Sequence, residues 1–212
     1  MLKEFEKRLI SSIILILITL LVVLEGKTFF NIFLFIAFLI SSYEWLKMSK
    51  RADIKFLGIL FLCFSFYSAF YFRVQNLEGF LLITLICVST DIGGYIFGNI
   101  FKGPKLTKIS PKKTYSGMIG GFILSIITIY IFFNYLYLYN DNIILFTSET
   151  FLNVLLISTV SQIGDIIISF FKRLSKIKDT GKLIPGHGGL LDRIDGMIFA
   201  FPFSYIIFSL RI

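Results

Sequence analysis

Seven stretches of this chain, residues 9–24, 28–46, 56–72, 79–100, 117–139, 151–171 and 190–210, are predominantly apolar. Each is close to the ~20 residues that a helix needs to cross the hydrocarbon of a bilayer. No other feature restricts the fold as strongly. In lipid, backbone N–H and C=O groups have to be paired within the protein, and a helix does this inside its own segment. The chain is 56% hydrophobic and only 16% charged, with a mean hydropathy of +0.85. That is less charge than a water-facing surface of this size needs. The expectation is an all-α integral membrane protein, a polytopic bundle of about seven transmembrane helices, six to eight, forming a single membrane domain over 1–212. The first run follows a basic start but lacks a convincing small-residue cleavage site, so it reads as an uncleaved span. The short run 142–148 leaves room for a re-entrant piece.

Basic residues alternate in density between the apolar runs. Lys3, Lys7 and Arg8 precede the first, and Lys47, Lys50, Arg51 and Lys55 follow the second. Lys102, Lys105, Lys108, Lys112 and Lys113 follow the fourth, and Lys172, Arg173, Lys176, Lys178, Lys182 and Arg193 follow the sixth. Only Lys27, Arg73 and Arg211 of the 21 Lys and Arg fall on the other side. The rich side of such a chain faces the cytoplasm, with the N-terminus inside. Membrane topology therefore accounts for the net charge of +8 without nucleic acid. Cys63 and Cys87 lie in apolar runs and read as small buried hydrophobes rather than a disulfide pair.

Acidic groups inside the apolar runs point to function, because a carboxylate at the bilayer centre costs ~2.5–3.5 kcal/mol on insertion scales. Asp91 shares a helical face with Thr84, Cys87, Gly94, Tyr95 and Gly98, and Gly94 and Gly98 allow another helix to approach closely. Ser161, Asp165, Ser169 and Lys172 form a second polar stripe by their spacing. Lys172 is one candidate counterion for Asp165, and a bound metal is the other. Asp179, Asp192 and Asp195 follow, the last two just beyond the turn-forming run Pro185-Gly186-His187-Gly188-Gly189. Gly188 and Gly189 permit positive φ and close backbone approach, and amides at a helix start can receive an anion. The P-loop pattern is absent. Carboxylates able to hold a divalent ion, set among cations and glycine amides, suit phosphoryl or nucleotidyl transfer.

Ser169 to Asp195 reads S-F-F-K-R-x4-K-D-x-G-x2-I-P-x-H-G-G-L-x-D-R-I-D. This segment resembles the signature of the phosphatidate cytidylyltransferases (CDP-diacylglycerol synthases) at all of its fixed positions. Two upstream blocks also resemble that family: Thr90-Asp91-Ile92-Gly93-Gly94-Tyr95-Ile96-Phe97-Gly98 and Ser110-Pro111-Lys112-Lys113-Thr114-Tyr115-Ser116-Gly117. Thr90 replaces the usual Ala, Tyr115 the usual Trp and Ser116 the usual Glu. Ser116 is accordingly given no metal or acid/base role. The resemblance spans residues 85 to 200 or so, and the first three runs match only in being hydrophobic. The chain is shorter than typical members, which leaves room for a missing N-terminal span. Residues 1–78 are then N-terminal spans, and 79–212 the catalytic region.

The resemblance implies a multi-pass enzyme of the bacterial inner membrane, its site facing the cytoplasm. It would join CTP and phosphatidate to give CDP-diacylglycerol and pyrophosphate. It implies Mg²⁺, with a second, monovalent cation as a further candidate. Asp165 and Asp192 would be metal ligands, with Asp195 as a third candidate. Asp165, Asp192, Lys172, Arg173, Asp179, His187 and Arg193 are the expected catalytic residues. Ser169, Lys178, Gly188, Gly189, Lys112, Lys113, Thr114 and Asp91 are the expected substrate-binding residues. Partners are CTP, phosphatidate and the bilayer, and a homodimer is compatible. The competing readings are a CTP-dependent lipid-alcohol kinase with similar machinery and an ion-coupled transporter using Asp91 and Asp165. The Asp192/Asp195 pair in a glycine-rich loop argues against the transporter, because a conduction path does not need it.

Overall fold

The structure, a computed structural model, describes residue 22 and residues 27–139, 146–184 and 188–209. The described residues form helices α1 (Lys27–Met48), α2 (Ala52–Gln75), α3 (Leu77–Phe101), α4 (Tyr115–Tyr139), α5 (Ser148–Leu174), α6 (Leu191–Ile194) and α7 (Met197–Ser209). Five of them, α1 to α5, are long and apolar enough to cross a membrane. The 25 residues of α3 rise about 37 Å at 1.5 Å each. The expected span over 9–24, apart from residue 22, and most of the run 142–148 lie outside the described residues. The span expected over 190–210 is not one helix. It breaks at Asp195-Gly196 into α6 and the 13-residue α7, whose interior contains Pro202.

Side chains at the helix ends set the limits. Asn76 closes α2 by donating its amide to Phe72 O and opens α3 by accepting the Gly79 amide at 2.8 Å. Thr114 and Thr147 accept the amides of Gly117 and Thr150 at the starts of α4 and α5, the role of an N-cap hydroxyl. Many Phe, Ile, Leu and Tyr side chains on α1 to α5 are exposed, among them Phe29, Phe35, Phe56, Tyr95, Ile127 and Leu152. Exposed apolar area on that scale is a lipid-facing surface, not a water-facing one.

Two apolar clusters hold the bundle. One gathers Phe30, Phe72, Phe80, Ile83, Ile86, Ile129, Val154 and Phe201. The other gathers Trp45, Leu62, Ile168, Leu191 and Ile198 nearer the basic loops. Helices α3 and α4 touch backbone to backbone. A Cβ on Gly117 would lie 2.7 Å from Gly94 O, and one on Gly93 would run into Gly120 O. The small-residue face read around Gly94 and Gly98 is therefore used, with Gly93 added to it. Thr90, in place of the family's Ala, hydrogen-bonds Ser158 on α5 at 2.8 Å in the buried interior. Cys87 is buried as expected; Cys63 is exposed, and both are free.

A polar site at the basic end of the bundle

The loops after α1, α3 and α5 meet at one end of the bundle. Ser175 Oγ donates to Met48 O at 2.7 Å, and Trp45 Nε1 to Ile54 O at 3.2 Å. Lys113, just before α4, reaches Asp165 on α5. The basic clusters after α1, α3 and α5 thus share one end of the described bundle, and the cluster at Lys3, Lys7 and Arg8 lies outside the described residues.

Asp165 is the centre of the first group. Its Oδ2 pairs with Lys113 Nζ at 2.5 Å, and Oδ1 accepts a 3.3 Å hydrogen bond from Ser169. Its cation is therefore Lys113, from the second motif block, and not Lys172 on its own helical stripe. Asp91 is accessible but recessed, close enough to Asp165, Lys113 and Arg193 for their charges to act on it. Asp195 is buried, accepts the Gly196 amide at 3.0 Å, and experiences the charges of Asp165, Asp91 and Lys172. Three carboxylates from α3, α5 and the α6–α7 break are thus near enough for their charges to act on one another.

Asp192 belongs to a second group. Its Oδ1 accepts Lys172 Nζ at 2.8 Å, with the two side chains only 5% and 10% exposed. Its Oδ2 accepts the Thr180 amide at 2.8 Å and the Gly189 amide at 3.0 Å, and lies 3.1 Å from the Thr180 hydroxyl. Burial acts to raise the Asp192 carboxyl, and the Lys172 and amide hydrogen bonds outweigh it, so its pKa is lowered. Gly188, at φ +89, packs against this carboxylate: a Cβ there would lie 2.7 Å from Asp192 Oδ2. The glycines are needed for approach to the protein's own carboxylates, and the Gly189 amide is already engaged.

The remaining expected residues surround these groups. Ser169 and Lys172 are buried on the predicted stripe of α5, with Ser161. Arg173 is exposed and donates to Ile177 O at 3.1 Å. Lys112, Lys178, Asp179 and Arg193 are exposed. Thr114 is turned to the start of α4, where its hydroxyl meets Ser116 at 3.0 Å, and Ser116 in turn donates to Lys102 O. His187 lies outside the described residues.

The donor chemistry for a divalent cation is uneven across the two groups. Among the described residues no three His, Cys, Asp or Glu side chains converge on one point closely enough to enclose a metal. Asp165 nevertheless fits a hard cation: its carboxylate already holds an ammonium, and its acidic neighbours are Asp195 and Asp91. Asp192 fits less well than the sequence suggests: its side chain is 5% exposed against 26% for Asp165, and two backbone amides already occupy its Oδ2 while Lys172 holds its Oδ1.

Glu44 falls in none of the sequence motifs and yet joins the site. This residue is buried near the end of α1 and accepts hydrogen bonds from Thr180, Leu190 and Leu191. The signal was available: an acidic residue in an apolar run is costly and needs a partner.

These features define a class: a helical membrane protein with paired Asp–Lys groups gathered at the basic end of its bundle. Residues 63–211 match the cytidylyltransferase family. A phosphatidate cytidylyltransferase of Rickettsia typhi is 34% identical over 207 residues, covering 92% of this chain and 88% of that protein. One from Rickettsia prowazekii is 32% identical over 210 residues, covering 94% and 90%. One from Staphylococcus aureus (strain COL) is 33% identical over 181 residues, covering 81% and 66%. The chain belongs to the cytidylyltransferase family. The likeness extends well upstream of residue 85, into spans that the motifs alone did not connect.

Proposed function

We propose that this protein transfers the cytidylyl group of CTP to phosphatidate, forming CDP-diacylglycerol and releasing pyrophosphate. The observation that carries this reading is the family match over a chain that retains the whole signature from Ser169 to Asp195. A phosphate oxygen of phosphatidate forms a bond to the α-phosphorus of CTP, and the bond from that phosphorus to the bridging oxygen of the β-phosphate breaks. The nucleophile is already an anion, so no strong base is required. The barrier is repulsion between two anions and the charge left on pyrophosphate, which fixed cations lower. Lys113, Lys172 and Arg193 are suited to this work, with exposed Lys112, Arg173 and Lys178 drawing in CTP.

Asp165, with Asp195 and Asp91 beside it, would hold Mg²⁺, which when bound supplies Lewis-acid neutralisation of phosphate charge. Asp192 orients Lys172 toward the same space. Asp165 lies near the basic end of α5, so a soluble nucleotide and a lipid headgroup can both reach it. We assign that end to the cytoplasm from the Lys and Arg distribution. The test is pyrophosphate release by purified protein given CTP and Mg²⁺, with and without phosphatidate. Phosphatidate-dependent pyrophosphate is the expected result. CDP release on addition of a lipid alcohol would favour the kinase, and ion flux without CTP turnover the transporter.

A further inference from the structure

Glu44 lies on α1, upstream of the residues 63–211 that match the family. It is 4% exposed. Oε1 accepts the Leu190 amide at 3.0 Å, and Oε2 accepts the Leu191 amide at 2.8 Å and the Thr180 hydroxyl at 2.9 Å. Leu190 and Leu191 open α6, the short helix that carries Asp192 and Arg193. The same Thr180 hydroxyl lies 3.1 Å from Asp192 Oδ2. Two carboxylates from distant parts of the chain thus sit against one hydroxyl.

Two glycines make room for this arrangement. A Cβ on Gly181 would lie 2.6 Å from Glu44 Oε1, and one on Gly189 would lie 2.5 Å from Glu44 Oε2. Neither glycine has positive φ, so space and not backbone conformation is what they provide. The carboxylate is also specific. A glutamine offers one acceptor oxygen, and its NH₂ would face a backbone N–H. A buried amide left without an acceptor costs ~1–3 kcal/mol.

We propose that Glu44 is a positioning residue for the transfer reaction: it fixes Thr180 and the start of α6, and through them Asp192 and its partner Lys172. This rests on the function proposed above. Geometry of reacting groups matters at the scale of 1 Å, where a displacement can cost ~10²-fold in rate. A residue that only stabilised the fold would leave the turnover of the folded fraction unchanged.

The experiment compares wild type, Glu44→Gln, Glu44→Asp and Gly181→Ala, purified in detergent, with kcat, KM for CTP and the thermal midpoint measured on each. The expected result for Glu44→Gln is a fall in kcat of roughly tenfold or more per folded molecule, with KM for CTP within about threefold. Gly181→Ala pushes a methyl group onto the same carboxylate and should lower kcat in the same way. Glu44→Asp keeps two acceptor oxygens and should retain more activity than Glu44→Gln. If Glu44→Gln does not fold, Gly181→Ala decides. A Glu44→Gln or deciding Gly181→Ala enzyme within about twofold of wild-type kcat, or a loss that only tracks the folded fraction, overturns the inference. Wild type silent with CTP and phosphatidate would instead overturn the functional reading on which it rests.

Discussion

Lys113 Nζ and Asp165 Oδ2 form an ion pair at 2.5 Å, joining the loop before α4 to the middle of the basic half of α5. The pair brings two separate sequence motifs to one place. It also supplies the positive charge nearest to a carboxylate that has Asp91 and Asp195 beside it.

Removal of that ammonium should therefore matter more than removal of its neighbour in sequence. Lys113→Met should lower kcat/KM by ~10²-fold, about 2.7 kcal/mol at 1.36 kcal/mol per decade. Lys112→Met, on an exposed side chain, should lower it less than tenfold. Steady-state kinetics on the two variants, side by side, check this. Equal losses would place Lys113 outside the reacting groups.

Asp165→Asn and Asp192→Asn should fail in different ways. Asp165→Asn should fold and lose activity by 10³-fold or so, a loss of ~4 kcal/mol of transition-state stabilisation. Asp192→Asn should also be destabilised, because Lys172 is left buried without its partner, and breaking such a pair costs ~3–5 kcal/mol. Thermal unfolding in detergent separates the two. A wild-type midpoint for Asp192→Asn would show that its hydrogen bonds are replaceable.

Ser116 stands where relatives carry Glu, and its hydroxyl is turned to Lys102 O and Thr114. Ser116→Ala should keep activity within about threefold and lose on the order of 1 kcal/mol of stability, the net worth of a hydrogen bond. An inactive Ser116→Ala enzyme would put chemistry at this position.

The orientation is tested by labelling. Lys50, Lys108 and Lys182 are exposed on the basic loops. Single cysteines at these positions, in a variant lacking Cys63 and Cys87, should be protected from an impermeant thiol reagent in intact cells. They should react once the membrane is opened. Reaction in intact cells at any of the three would reverse the assigned sidedness.

The sequence announces those parts of the site that lie close together along the chain. The stripe Ser161, Asp165, Ser169 and Lys172 is legible because helical spacing fixes which side chains share a face. The glycine face of α3 is legible for the same reason. Pairings across the bundle are not. Lys172 is the nearest candidate counterion by spacing, yet it turns to Asp192, and Asp165 takes Lys113 instead. Glu44 has its partners at Thr180 and Leu190–Leu191, and no local pattern connects them. The interruption at Asp195-Gly196 was disguised by apolar residues on both sides. What the local pattern also hides is the close packing there: a Cβ on Gly196 would collide with Ser161 of α5.

Following the two ends of the CTP triphosphate in one reaction separates cytidylyl transfer from phosphoryl transfer. Purified wild-type protein and Asp165→Asn receive CTP labelled separately at the α- and γ-phosphates, with phosphatidate and Mg²⁺. The lipid and aqueous phases are then counted. Wild type should place α-label in the lipid phase and γ-label in aqueous pyrophosphate, and Asp165→Asn should do neither. Appearance of γ-label in lipid would rule out cytidylyl transfer, and undiminished α-label transfer by Asp165→Asn would remove Asp165 from the site.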